Sequence, residues 1–130
     1  MTRALLIALT LSLFTACSHH IQLIGAADGT TITGTHDVWH RTITVTLPSG
    51  IRLEGPYQPL TTGSIGEGSL FFGANVAELL GRPMSGRMHG YARLTGSERT
   101  VLEMVFALEW IGRGYGVARV STGEEYRVMF

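Results

Sequence analysis

The sequence predicts an all-β fold, a small antiparallel barrel or sandwich of about seven or eight short strands behind a cleaved signal helix. Three observations carry this. Apolar and polar residues alternate with a period of two in several segments, the pattern of a strand with one buried face. Seventeen glycines punctuate the chain, many of them in turn-like clusters with Ser, Thr, Pro or Asp. Outside the leader, few stretches have the length and composition of a stable helix.

The leader comes first in the chain. Arg3 and the initiator amine form a positive start, and Ala4 to Phe14 is an apolar run broken only by Thr10 and Ser12. Small residues, Thr15 and Ala16, precede Cys17, the only cysteine. An apolar core of about 7–15 residues before a small-residue cut site is the secretory pattern, and it falls short of the roughly 20 residues a membrane span needs. A lone cysteine in an exported chain pairs between molecules, stays free or is modified. Its place directly after the cut site points to modification. The expected organisation is a cleaved signal peptide over 1–16, a short tether over 17–22 (Ser18-His19-His20-Ile21-Gln22 after a modified Cys17), and a single β-rich domain over 23–130.

Within that domain, Asp28-Gly29 is a turn signal and Thr30–Thr35 is expected as the first strand. Arg41–Tyr57 reads as a hairpin. Ile43, Val45 and Leu47 alternate with Thr42, Thr44 and Thr46, and Pro48-Ser49-Gly50 supplies the turn. Ile51 and Leu53 return, and Gly55-Pro56 should end the strand because proline cannot donate to a ladder. Gln58–Gly68 is a polar loop, and Leu70-Phe71-Phe72 a short apolar strand. Asn75–Gly81 is either a short helix, with Asn75 as its N-cap, or an irregular loop.

Arg87–Thr95 alternates as a strand, with Thr95-Gly96-Ser97 as its turn. Thr100–Ile111 has helix-forming residues, but as a strand it aligns Leu102, Met104, Phe106, Leu108 and Trp110 on one face, with Glu103 and Glu109 on the other. Periodicity favours the strand. A last hairpin turns at Ser121-Thr122-Gly123 and returns through Tyr126, Val128 and Phe130, a terminal strand expected to be paired.

Composition narrows the function classes. The ten basic residues are all arginines and balance ten acidic ones, with no basic stripe for nucleic acid and no polybasic membrane patch. His36 and His40, four residues apart, would sit about 13 Å apart along a strand. With His19, His20 and His89 scattered, the histidines read as ordinary turn and surface residues, so no metal or cofactor is expected. Ser64 lacks the G-x-S-x-G elbow and there is no P-loop. Glu124-Glu125 reads as a solvated turn. Tyr57, Tyr91, Tyr115 and Trp39 read as core, with an exposed recognition patch as the alternative. Non-enzymatic behaviour is expected.

Phe14-Thr15-Ala16-Cys17 resembles the lipobox of bacterial lipoproteins, with Phe14 where Leu is usual. The resemblance implies diacylglyceryl transfer to Cys17, cleavage before it and acylation of the new amine. Ser18, in place of Asp, implies sorting to the outer membrane; of its two faces, the periplasmic one is expected. The end of the chain, from Gly114 to Phe130, is similar to that of small Gram-negative outer-membrane lipoproteins. It faintly resembles membrane-bound lysozyme inhibitors of the C-type class, whose Ser-Gly-x-x-Tyr loop has a longer counterpart in Ser121-Thr122-Gly123-Glu124-Glu125-Tyr126. The cysteine pair common in that family is missing. Three readings follow. The leading one is a lipid-anchored cell-envelope protein with a structural or protein-interaction role, partnered by the membrane and by an envelope protein. The alternatives are a periplasmic inhibitor or ligand-binding module using Ser121 and Tyr126, and a small hydrolase or metal-binding protein.

Overall fold

The computed structural model describes residues 18–60, 69–71, 74–80, 88–109 and 113–130. These form a closed antiparallel barrel of eight strands, each hydrogen-bonded to its neighbours in chain order. The strands are β1 (Ser18–Gly25), β2 (Thr31–Asp37), β3 (Thr42–Thr46), β4 (Arg52–Pro59), β5 (Met88–Thr95), β6 (Val101–Leu108), β7 (Gly114–Val120) and β8 (Glu125–Met129). Closure comes from β1, which pairs with β2 through Ser18↔Asp37 to Ile24↔Thr31 and with β8 through Gln22↔Met129 to Gly25↔Tyr126. A closed barrel leaves no free sheet edge to recruit another chain.

Residues 18–22 are therefore not a free tether. The tether reading rested on their polarity, yet Ile21 and Leu23 alternate with His20 and Gln22 and are fully buried. Ser18, the first described residue, is already in the barrel, which gains a strand that the sequence alone did not suggest. Gly55-Pro56 does not end β4 either. Pro56 pairs with Thr42 of β3, and the register between β4 and β5 passes from Glu54↔Thr95 to Tyr57↔Ala92 with no pairing at 55 and 56. The missing proline N–H interrupts one ladder while the other carries the strand on. At Gly55 the two backbones approach so closely that a Cβ would collide with the Arg93 carbonyl oxygen.

Inward residues from all eight strands make one core, including Ile21, Ile43, Leu53, Leu94, Met104 and Phe106. An eight-stranded barrel has an interior just wide enough for side chains to fill. Phe106 fits because its neighbours are small: a Cβ at Gly90 or Gly116 would run into it. The outward positions of β2 and β4 include Thr31, Thr33, Thr35, Arg52, Glu54 and Gln58, all exposed. That polarity is the inverse of a transmembrane barrel, whose outer band must be apolar.

One sector of the outer wall departs from this. On β5–β7 the outward Val105 and Ala107 are fully buried, and they pack with Phe71, Leu80, Leu79, Leu60 and Tyr91 in a second apolar cluster. The cover comes from described parts of the connection between β4 and β5, Leu60, Phe71 and the segment 74–80 with its helix α1 (Val76–Leu80). Asn75 caps it, its Oδ1 accepting from Glu78 N at 3.4 Å. The expected strand at Leu70-Phe71-Phe72 is instead a turn at Leu70 and Phe71, with Phe72 outside the described residues. Phe71 is fully buried against the wall. The strand expected within Thr100–Ile111 is present as Val101–Leu108, buried on both faces from Leu102 to Ala107. The last strand is paired to its end, with Phe130 N donating to Gly114 O at 3.0 Å.

Candidate functional site

Two places gather polar groups where the fold has to work to keep them. The first is the covered wall. Cross-strand register sets Arg93 of β5, Glu103 of β6, Arg119 of β7 and Glu125 of β8 in one row of alternating charge. Opposite charges directly across a ladder support each other. Glu103 has no solvent exposure. Its Oε1 accepts from Tyr91 OH and from Arg93 Nη1 at 3.1 Å, and its Oε2 accepts from Leu70 N and from Ser69 Oγ at 3.3 Å. Ser69 Oγ in turn accepts from Phe71 N at 3.0 Å.

Arg119 fastens the same turn from the other side. Its Nη1 donates to Leu70 O at 3.1 Å, its guanidinium carbon lies 4.8 Å from the centre of the Phe71 ring, and its Nε makes an ion pair with Glu125 Oε1 at 2.8 Å. Burial pushes the Tyr91 phenol pKa up, and its bond to Glu103 adds to the shift. A carboxylate offers about four acceptor positions. At Glu103 all four are taken, which leaves none for a substrate. The arrangement is a latch that holds the 69–80 cover on the barrel.

The second place is the end of the barrel where β1 starts. Asp37, closing β2, organises the β2–β3 turn. Its Oδ1 accepts from Trp39 N and His40 N, both at 3.0 Å, and its Oδ2 pairs with His40 Nδ1 at 2.7 Å. The backbone bonds to His40 are the main reason the Asp37 carboxyl pKa is lowered. Arg41 takes a left-handed conformation at φ 52°, and its carbonyl accepts from Tyr57 N at 3.0 Å. A pinned turn thus holds Val38 and Trp39 outward, with Trp39 76% exposed.

Just inside the same end, His36 points into the barrel. It packs edge-on to Tyr57 at 4.9 Å and Phe130 at 5.5 Å between ring centroids, with His19 at 6.4 Å. Its Nε2 is buried without a hydrogen-bond partner. Burial, then the neighbouring His19, lowers the His36 pKa, with Asp37 opposing. The ring is accordingly a neutral aromatic plug at neutral pH.

The residues singled out from the sequence fall as follows. Cys17, Ser64 and Trp110 lie outside the described residues. Ser121 is in the exposed β7–β8 turn, where its Oγ accepts from Val101 N at 3.0 Å. Tyr126 does not share that exposure: it is 7% exposed and belongs to the interior core. The period of two on β8 places it inward with Val128, so the two residues do not form one recognition loop. His36 is inside and His40 outside, so their spacing brings nothing together. Among the described residues, no three His, Cys, Asp or Glu side chains converge as a metal site would require. Of the four aromatics expected in the core, Tyr57 is buried inward and Tyr91 and Tyr115 pack partly buried in the outer cluster, but Trp39 stands in solvent.

Sequence reasoning missed Glu103 as a site. Its signal was a single acid inside the otherwise apolar run Val101–Leu108. Comparison with known proteins returns no match: no family model, no curated protein and no solved structure is significantly similar to this chain.

Proposed function

We propose that this chain is exported, cleaved before Cys17 and held by lipid at the outer membrane, on the periplasmic face. Its barrel then has a structural or protein-interaction role in the cell envelope. The observation that carries this is Cys17 itself, the sole cysteine, standing directly after a small-residue cut site. The fold is compatible with that processing. Every described residue of the barrel lies after Cys17, so a cut before Cys17 leaves all of the described barrel in the mature chain.

The interior supports a role played on the outside. It is filled by apolar side chains from every strand, and the one fully buried carboxylate of the wall is committed to fastening the cover. The decisive experiment is intact-mass analysis of the mature protein from membranes. A triacylated Cys17 at the N-terminus is expected, and Cys17→Ser should abolish both cleavage and acylation. A mature N-terminus at Ser18, or a free Cys17 thiol, overturns the reading. Cross-linking in whole cells followed by affinity purification then identifies the envelope partner.

A further inference from the structure

We propose that the end of the barrel where β1 begins is a membrane-docking face, and that Val38 and Trp39 at its rim insert into the headgroup–acyl boundary of a bilayer. The proposal rests on the lipid-anchored reading for its membrane, but its geometry comes from the fold.

The first argument is distance. Cys17 is one peptide bond from Ser18, so their Cα atoms are about 3.8 Å apart. Ser18 is already in the sheet, paired with Asp37, and Val38 follows Asp37 directly. A flexible linker of n residues would let a domain stand off by about 5–6 Å times the square root of n. Here no such linker exists between the acylated residue and the first strand. Lipid on Cys17 therefore brings the β2–β3 turn to the bilayer surface.

The second argument is the distribution of apolar surface. Among the described residues, four large hydrophobic side chains are exposed: Val38, Trp39, Met88 and Met129. All four lie at this end. Met88 opens β5 opposite Leu108, the last residue of β6, and Met129 closes β8. Around the barrel, Met129 on β8, Cys17 before β1 and the β2–β3 turn are consecutive. The turns at the opposite end instead present Asp28, Ser49, Glu98, Arg99, Thr122 and Glu124. A random scatter of exposed apolar residues needs no explanation, but a segregated set rimming one end marks an interaction site.

The third argument is that the turn is built to keep Trp39 out. Asp37 ties down both amides that follow Val38, and Arg41 adopts a backbone conformation uncommon for a non-glycine residue. Tryptophan is the side chain enriched at membrane interfaces, with an apolar ring and one polar N–H. Arg41, exposed two residues further on in the same turn, supplies a cation suited to lipid phosphate. Glu109, the acid of the β6–β7 connection, is on the diametrically opposite rim. The barrel would then sit tilted, with its β8–β1–β2–β3 side lowest.

The test uses the lone cysteine so that native lipidation is not required. The mature chain is coupled through Cys17 to maleimide-bearing lipid in phosphatidylethanolamine/phosphatidylglycerol vesicles, with Trp110→Phe leaving Trp39 as the single tryptophan. The expected result is a blue shift of Trp39 emission, loss of iodide quenching and gain of quenching by nitroxide-labelled lipid. The uncoupled protein without vesicles should show none of these. Hydroxyl-radical footprinting of the coupled chain with both tryptophans, which does not depend on that variant folding, should show Trp39 and Met129 protected. Trp39 that stays open to iodide and radicals on coupled vesicles overturns the docking face, whatever mass spectrometry says of Cys17. Protection of Trp39 in vesicle-free protein of dimer size also overturns it, assigning the patch to a second copy. Absence of native lipid on Cys17, with docking intact on coupled vesicles, sinks the anchoring reading alone.

Discussion

Replacing Glu103 should loosen the 69–80 cover before it harms the barrel. In Glu103→Leu, the apolar side chain keeps the volume but strands two donors, Leu70 N and Tyr91 OH, while half-exposed Arg93 and partly exposed Ser69 turn to water. Each buried donor left without an acceptor costs about 1–3 kcal/mol. The chain has a second option, which is to release the cover. That forfeits the burial of Phe71 and Leu80, at about 1.5–3 kcal/mol each. Both routes put the loss at about 3–5 kcal/mol. Against a total stability of about 5–15 kcal/mol, this is severe but survivable.

Glu103→Gln should be milder, about 1–2 kcal/mol. Its amide oxygen can accept from Leu70 N and Ser69 while its NH2 donates to the Tyr91 oxygen; the bond from half-exposed Arg93 is given up to water and the remaining bonds lose their charge-assisted character. Urea denaturation gives the ordering, and hydrogen exchange gives the location. The Leu70 and Phe71 amides should exchange faster in the Leu variant while amides of β1–β3 keep their protection. If Glu103→Leu lies within about 0.5 kcal/mol of the parent, the scatter of neutral surface changes, and those two amides stay protected, the latch reasoning is wrong.

Three further changes probe the rest of the fold. Burial holds the folded His36 pKa below its unfolded value of about 6.5, so the unfolded chain takes up the proton first. Stability should be complete above about pH 6.5 and fall below it by up to ~1.4 kcal/mol per pH unit. In urea melts from pH 5 to 8, His36→Leu should flatten this slope and raise stability at its acid end. His19, Tyr57, Phe130 and Asp37, the groups around the ring, stay in place. Gly55→Ala should cost at least about 1–3 kcal/mol, because the added methyl meets the rigid Arg93 carbonyl and not a movable side chain; thermal denaturation followed by circular dichroism reads it. Tyr126→Ala should cost about 3–5 kcal/mol as a core cavity, whereas Ser121→Ala should cost only about 1 kcal/mol through the Val101 bond. Equal, small effects of both would put Tyr126 back at the surface.

What was legible in the sequence was whatever obeys a local rule. The Arg41–Tyr57 and C-terminal hairpins follow from alternation plus Gly50 and Gly123, which adopt the positive φ of 88° and 109° that their turns require. What escaped depends on partners distant in the chain. β1 looks like a polar tether because its alternation begins with Ser and His, and it becomes a strand because β2 pairs with it from Ser18 onward, with β8 closing the other side from Gln22. Thr100–Ile111 was legible as a strand but not as one buried on both faces. Val105 and Ala107 gave that signal as breaks in strict alternation, since a strand covered on both sides reads as a near-continuous apolar run. Glu103 then stands out as an acid that must have partners, but Ser69 and Leu70, more than thirty residues away, cannot be paired with it by spacing. Trp39 was expected in the core because large aromatics usually are. Its exposure comes from the Asp37 turn, a side-chain device that composition does not reveal.

Where the proposed envelope partner would bind follows from the surfaces already in use. The interior is filled, the β5–β7 wall is covered, and the docking proposal gives the β1 end to the membrane. The open outer face of β1–β4 remains, with Gln22, Thr33, Thr35, Arg52 and Glu54 exposed on it, and so do the far turns. These surfaces are polar, and Arg52 and Glu54 already pair with each other at 3.1 Å. A partner meeting them gains little from apolar burial and must bind through hydrogen bonds and exposed charges. Exposed charges separated by more than about 8 Å are largely screened at physiological salt. Partner capture through this face should therefore weaken as salt is raised, and an Arg52→Glu charge reversal should weaken it at low salt while leaving thermal stability nearly unchanged. Capture that survives molar salt but is lost in Trp39→Ser would move the partner to the β1 end, where it would compete with the bilayer for the same rim.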